Sequence, residues 1–195
     1  MKDTKEHILK TSLRLFLQKN YKEVTMQEIV KETGLSKGAF YHYFTGKDKV
    51  FEEVVRYFYE YCLLADYRLY PTDSLKAFYN AYLDKVRRNM AGQIENAPEK
   101  SPFVMIIEAL RRLPNLREIQ EKEHAEELGY WKIAVKNAKK SREITTELSD
   151  ETIARMFISL ADGVLLHQTL SSQNFEDTVR ELKKLYGSLF SLLES

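Results

Sequence analysis

The segment Thr25–Phe51, TMQEIVKETGLSKGAFYHYFTGKDKVF, carries the start and stop signals of two consecutive short helices. Thr25 and Glu28 have the T-x-x-E spacing of a capping box, which satisfies free amides at a helix start. Gly34 suits the left-handed residue that often ends a helix. Ser36 follows almost at once and can cap the next helix. Two short helices joined by a turn of about three or four residues that contains Gly indicate a helix-turn-helix.

The second of these helices leaves an unusual outer surface. Phe40 and Phe44, four residues apart, form its inner face. Small residues on the outside let the backbone approach a major groove, while Lys, Tyr and His side chains can reach phosphates or base edges. A further helix begins at Lys47, and its N-terminal dipole also favours phosphate. The residues therefore predict DNA contacts at Lys37, Gly38, Ala39, Tyr41, His42 and Lys47. The alternative is that the aromatic side chains only pack against neighbouring helices.

The same stretch resembles the DNA-binding domain of the TetR family of transcriptional regulators. The matching features are the pattern T-x-x-x-I-V, the turn G-L-S, the recognition helix S-K-G-A-F-Y-H-Y-F and the following G-K-D-K-V-F. The resemblance covers residues 1–55 closely, and the rest only in length and helical character. It implies DNA-facing positions at Thr25, Ser36, Lys37, Gly38, Ala39, Tyr41, Tyr43 and Lys47, with His42 beside them.

The rest of the chain has apolar residues at helical spacing and no strand-like alternation. The sequence therefore predicts an all-α fold of about nine helices, including one over residues 47–64 and two at the end, over 149–171 and 175–193. We expect a three-helix DNA-binding domain over residues 1–46. The resemblance implies that residues 47–195 form a helical effector-binding and dimerisation domain.

Charge is divided unevenly along the chain. The net charge is only +1, but residues 1–50 hold ten Lys and Arg against six Asp and Glu, which leaves this part at +4 and the remainder at −3. Phosphate attraction needs a local basic surface rather than a basic protein. The excess of positive charge in residues 1–50 has the sign that binding to double-stranded DNA requires.

Composition favours a cytoplasmic protein without membrane contact. No apolar run approaches the roughly 18 residues of a membrane span, and the charged residues Lys2, Asp3, Lys5 and Glu6 do not fit a secretory signal. The single cysteine, Cys62, cannot form an intramolecular disulfide and is expected to pack as a small hydrophobe. A reactive thiol is the alternative.

The last two predicted helices have wide apolar stripes. The resemblance implies that they pair with a second copy in a four-helix interface, and a two-fold dimer would read two DNA half-sites. The alternative is that both stripes pack only within the chain. The predicted interface residues are Phe157, Leu160, Val164, Leu182, Leu185 and Leu189.

Aromatic residues are dense in the C-terminal part. Most of them will be core, but together with a few polar side chains they could line an apolar cavity. The resemblance implies that a small-molecule effector binds in such a cavity, and the residues favour a flat or lipophilic compound over a strongly charged one. The predicted effector-binding residues are Phe58, Tyr61, Tyr79, Tyr82, Phe103, Met105, Glu108, Tyr130, Trp131 and His167.

No pattern for catalysis, a metal or a cofactor stands out. The chain contains no P-loop, no G-x-G-x-x-G and no G-x-S-x-G motif, and its four histidines are far apart in sequence. His124 lies among several acidic residues, including Glu127, which could bind a metal by chance but fit a solvated charged face better.

Two functions from different classes remain. The first is a ligand-responsive repressor that binds palindromic operator DNA as a dimer and is released by an effector. The alternative is an architectural or protein-partnered DNA-binding factor of the same fold without an effector. An enzyme on a helical scaffold would need a convergent polar site that the sequence does not indicate.

Overall fold

The computed structural model describes residues 2–59, 66–92, 103–171 and 174–194, and this part of the chain is helical without strands. The described helices are α1 (Lys2–Gln18), α2 (Met26–Thr33), α3 (Lys37–Tyr43), α4 (Lys47–Phe58), α5 (Leu75–Gly92), α6 (Phe103–Arg112), α7 (Leu116–Lys140), α8 (Asp150–Leu170) and α9 (Phe175–Glu194). A short 3-10 helix (Tyr67–Leu69) precedes α5. The predicted all-α fold is confirmed.

The chain divides into two compact units. Unit 1 comprises residues 1–64 and 92–117, and unit 2 comprises residues 65–91 and 118–195. The predicted boundary after residue 46 therefore does not coincide with the division by packing. The reason is that α4 and α6 bury their apolar faces in the same core as α1, α2 and α3.

Unit 1 is built around the apolar face of α1. Ile8 and Leu13 of α1 are almost completely buried, as are Ile29 of α2 and Val54 of α4. The rings of Phe16 and Phe51 meet edge to face with centroids 4.9 Å apart. This core holds α2 and α3 in fixed positions on one side of the unit.

Unit 2 has a separate aromatic core. Trp131 of α7, Phe157 of α8 and Tyr186 of α9 are fully buried and pack ring against ring. The Tyr186 hydroxyl donates to the Phe157 carbonyl at 3.0 Å. The start of α5 is capped by Glu143, whose carboxylate accepts from the Leu75 amide at 2.8 Å. These contacts join all four long helices of the unit.

Some predicted features lie outside the described residues. The predicted helix over 47–64 is described as far as Phe58, and residues 60–65 fall outside, including Tyr61 and Cys62. The last two helices agree closely with α8 and α9.

Candidate nucleic-acid interface

Short-range capping fixes both helices of the helix-turn-helix. The Thr25 hydroxyl accepts from the Glu28 amide at 3.1 Å, and the Ser36 hydroxyl accepts from the Ala39 amide at 3.2 Å. Gly34 has φ +67° and donates its amide to the Lys31 carbonyl, so α2 ends in the left-handed conformation that the sequence predicted. The turn between α2 and α3 is therefore set by three local signals.

The core anchors α3 through one face only. Phe40 and Phe44 are 0% and 1% exposed and lie with their ring centroids 5.9 Å apart. The opposite face is open to solvent: Ser36, Lys37, Gly38, Ala39, Tyr41 and His42 are exposed, and Tyr43 is half-buried. These residues, all predicted to face DNA, are therefore accessible to a partner, with Tyr43 the least exposed of them.

The electrostatics of this surface suit a polyanion. The α3 sequence KGAFYHY contains no carboxylate. Within the described residues Lys37 takes part in none of the ion pairs, whereas Lys5, Lys10, Arg14, Lys19 and Lys49 are each paired with a glutamate. Lys37 is thus a free positive charge at the N-terminus of the exposed helix.

Lys47, at the start of α4, has partners within the chain. Its ammonium donates to the Tyr21 carbonyl at 2.9 Å and to the Val24 carbonyl at 2.8 Å, and it lies 4.3 Å from the centroid of the Tyr21 ring. An ammonium has three protons, so one remains for a phosphate. Lys47 therefore fixes the loop between α1 and α2 in addition to the DNA contact predicted for it.

Comparison with known proteins agrees with this geometry. Residues 8–54 match the model of a family described as bacterial regulatory proteins, tetR family. The chain is 43% identical over 60 residues to the HTH-type transcriptional regulator YuxN of Bacillus subtilis, which covers 31% of this chain and 21% of YuxN. Residues 8–54 thus correspond to the N-terminal DNA-binding domain of this family. The match spans about a fifth of the length of such curated relatives, so the similarity is concentrated in the DNA-binding part.

Two further comparisons extend over the whole chain at lower identity. The HTH-type transcriptional regulator YfiR of Bacillus subtilis is 24% identical over 195 residues, which covers 95% of this chain and 94% of YfiR. The crystal structure of MexZ, described as a repressor in Pseudomonas aeruginosa, superposes with a TM-score of 0.63 at 18% identity, covering 100% of this chain and 96% of MexZ. The similarity to MexZ shows a shared fold alone.

Tyr21 connects α6 to the TetR-family helix-turn-helix, a role that sequence reasoning missed. Its ring contacts two cations: the Arg112 guanidinium carbon lies 3.8 Å and the Lys47 ammonium 4.3 Å from the ring centroid. The Tyr21 hydroxyl donates to Asp48. Burial and the Asp48 bond raise the pKa of Tyr21 to about 12, so the phenol remains a donor at neutral pH. The sequence feature that bears on these contacts of Tyr21 is its position shortly before the capping box.

The predicted effector-binding residues are divided between the two units. Phe58, Met105 and Glu108 belong to unit 1, where Met105 and Glu108 line a cleft of about 390 Å³ beside Tyr21. In unit 2, Trp131 and Tyr79 are core residues, Tyr82 and Tyr130 are half-buried, and His167 is exposed on α8. Tyr61 and the side chain of Phe103 lie outside the described residues.

One acidic residue predicted to be solvated is instead mostly buried. The Glu127 side chain is 18% exposed, and it accepts a hydrogen bond from the Tyr67 hydroxyl at 2.8 Å. Glu127 precedes Trp131 by four residues, so both lie on one face of α7. The four-residue spacing between Glu127 and Trp131 is the sequence feature that could have predicted the burial of Glu127. In the part of the chain that the structure describes, no group of His, Cys, Asp and Glu side chains is arranged to hold a metal ion.

The residues predicted to form the dimer interface differ in how far they are buried within one chain. Phe157 and Leu182 are 0% exposed and Leu189 is 8% exposed, because they fill the core of unit 2 and are already covered within one chain. Leu160, Val164 and Leu185 remain half-buried. The exposed face of α8 is instead formed by Met156, Ser159, Gly163, Leu166 and Leu170.

None of the helices within the described ranges combines the length and the apolar character needed to cross a membrane.

Proposed function

We propose that this chain is a dimeric transcriptional repressor that binds palindromic operator DNA through α3 and is released by a small-molecule effector. Its role is regulatory rather than enzymatic, and it acts in the cytoplasm. The observation that carries the proposal is the outer face of α3, which is exposed and free of carboxylates, while Phe40 and Phe44 on the other face are buried in the core. A surface of this kind fits a major groove and the phosphates beside it.

The experiment begins with selection of bound sequences from a random duplex library, since the operator sequence is unknown. We expect enrichment of two inverted half-sites, as a two-fold dimer requires. Gel-shift titrations then compare Lys37→Ala with Lys184→Ala, which removes the same charge from the exposed surface of α9. The α3 variant should bind all sequences more weakly and flatten the salt dependence by about one unit, whereas the α9 variant should not. Equal affinities would overturn the proposed interface.

Tyr41 provides a second test within the same surface. Its side chain is 46% exposed on α3, so the ring contributes little to the core. If its hydroxyl holds a phosphate, Tyr41→Phe should weaken operator binding by about 1 kcal/mol without changing stability. Unchanged binding would remove Tyr41 from the contact set.

The alternative without an effector has its own support. Trp131, Phe157 and Tyr186 pack ring against ring in the centre of unit 2, and a filled core of this kind needs no ligand. A protein of this second type would bind the selected DNA with an affinity that no small molecule changes. For the repressor, effector and DNA must weaken each other's binding by the same factor.

A further inference from the structure

Unit 2 contains a buried acidic group without a Lys or Arg partner. The Glu127 carboxylate accepts from the Tyr67 hydroxyl, and in the described residues the basic side chain within 4 Å of it is that of His124, 3.9 Å away and half exposed. Burying a carboxylate costs free energy unless a positive charge or several hydrogen bonds compensate. The protein supplies only part of that compensation.

The electrostatic surroundings increase this imbalance. Burial raises the pKa of Glu127 to about 7, against the opposing effect of the Tyr67 hydrogen bond. The charge of Asp162 on α8 raises the pKa of Glu127 further, and the nearby Trp131 indole lowers it. Among the described residues, neither Glu127 nor Asp162 forms an ion pair with a lysine or arginine. Asp162 is exposed to solvent, so the charge that lacks a complement is that of Glu127, and its complement is a cation.

Aromatic rings surround the same carboxylate, and we call Tyr67, Tyr70, Tyr82, Glu127 and Trp131 the Glu127 cluster. Ring centroids lie 5.3 Å apart for Tyr67 and Tyr70 and 5.6 Å apart for Tyr82 and Trp131. Tyr70 and Tyr82 are only half-buried, so the cluster has an accessible side. Aromatic faces attract organic cations, most strongly where water is excluded.

Two donors in the Glu127 cluster lack a well-formed hydrogen bond within the described residues. Trp131 is fully buried, and its indole N–H makes no hydrogen bond of ordinary geometry to any described residue although it lies near Glu127. The hydroxyl oxygen of Tyr70 is also buried and has no hydrogen-bond partner among the described residues. Buried polar groups are rarely left unpaired in a site that serves only to fill a core. These groups are positioned to hold the carboxylate once it is ionised and to contact a polar guest.

We propose that the Glu127 cluster is the effector site and that it takes a hydrophobic organic cation, whose charge pairs with Glu127 while its apolar body contacts the rings. This inference rests on the proposed function and specifies the chemical class of its effector. It differs from the sequence-based expectation, which favoured a flat or lipophilic compound over a strongly charged one, because the burial of Glu127 could not be read from the sequence.

The experiment uses the fluorescence of Trp131, the single tryptophan of the chain. The full-length protein is titrated with benzyltrimethylammonium and, separately, with neopentylbenzene, which has the same shape without the charge. We expect the cation to bind at least about tenfold more tightly, a difference that an ion pair with cation–π contacts can supply. Equal affinity for the two compounds would overturn the inference.

Matched variants locate the charge that is recognised. Glu127→Gln keeps the shape and can still accept from Tyr67, so it should lose about tenfold in affinity for the cation and leave that for the hydrocarbon unchanged. Glu126→Gln changes an exposed neighbour on α7 and should alter neither. Retained hydrocarbon binding also verifies that the Glu127→Gln variant is folded. Unchanged cation binding by this variant would place the site elsewhere.

A gel shift with the selected DNA distinguishes failure of this inference from failure of the proposed function. If the wild-type chain binds DNA but not the cation, the repressor stands and the assignment of the effector class is wrong. If the cation binds without changing DNA affinity, Glu127 marks a binding site but not the effector site, and the inference fails. Release of DNA by the cation, abolished in Glu127→Gln, supports both.

Discussion

At the scale of single residues, Gly38 separates the requirements of folding from those of DNA binding. It lies in the exposed first turn of α3, and a Cβ atom built on it would meet nothing within 4 Å. The fold therefore does not need glycine at this position. Close approach of the α3 backbone to a base pair is the remaining reason for a residue without a side chain.

Gly38→Ala should therefore change stability and DNA binding in opposite directions. Alanine favours a helix over glycine by about 0.5–1 kcal/mol, so the free energy of unfolding should hold or rise, while operator affinity falls. Gly187→Ala in α9 is the control, since its Cβ is equally unobstructed and lies in unit 2. Urea unfolding and gel shifts measure the two effects. DNA binding as tight as that of wild type would argue against backbone approach at Gly38.

Glu127 makes a pH-dependent contribution whose sign follows from its burial. The groups that face or adjoin it are Tyr67 from the 3-10 helix, Tyr82 from α5, Asp162 from α8, and His124 and Trp131 from its own helix. Its pKa is about 7 in the folded chain, against an ordinary value of 4.5. The folded state thus binds the proton more tightly than the unfolded state, and stability falls as pH rises from about 4.5 to 7.

Glu127→Gln should remove this dependence. Relative to wild type, the variant should gain up to about 3 kcal/mol of unfolding free energy between pH 5 and pH 8, because an amide never has to ionise in the buried site. Urea unfolding at four pH values measures the gain, with Glu126→Gln as the exposed control. Parallel stability curves for wild type and the Glu127→Gln variant would mean that Glu127 titrates normally.

At the scale of helices, local signals and long-range packing were predictable to different degrees. The limits of α2 and α3 followed from Thr25, Gly34 and Ser36, since capping depends on residues adjacent in sequence. The outer face of α3 followed from the spacing of Phe40 and Phe44. The packing of α6 in unit 1 could not be predicted, because it depends on contacts between apolar helix faces that are far apart in sequence.

The contact between α6 and Tyr21 predicts a specific effect of Arg112. Its guanidinium covers the Tyr21 ring and also donates to Glu108 at 2.6 Å. Arg112→Met should lower the free energy of unfolding by about 1 kcal/mol, since a partly exposed cation–π contact has that strength. It should also weaken DNA binding, because Tyr21 fixes Lys47 and Asp48 at the start of α4.

Arg111→Met is the control for this effect, because Arg111 is an exposed arginine next to Arg112 on the same helix. Chemical unfolding and gel shifts on both variants provide the comparison. Equal behaviour of the two variants would show that α6 does not act on the helix-turn-helix through Tyr21.

At the scale of the whole molecule, one apolar surface of unit 2 is left uncovered by the described residues. Met156, Leu166 and Leu170 on α8 are 40%, 43% and 79% exposed, and Ser159 and Gly163 lie between them at helical spacing. Large continuous apolar patches are uncommon on monomers and mark interaction surfaces. Small residues between apolar ones let a second helix approach closely. A second copy of the chain is the occupant that two inverted DNA half-sites require.

Met156→Glu should therefore produce a folded monomer. The side chain is exposed in one chain, so a glutamate costs little there, but a carboxylate buried between two copies would be strongly destabilising. Sedimentation velocity should show half the wild-type mass, and affinity for the two-half-site DNA should fall because each half-site is then bound alone. Ile133→Glu is the control, since Ile133 is similarly exposed, at 46%, on α7. If the Met156→Glu variant sediments as a dimer while circular dichroism gives native helicity, the copies meet through another surface, and the spacing of the two α3 helices is set there.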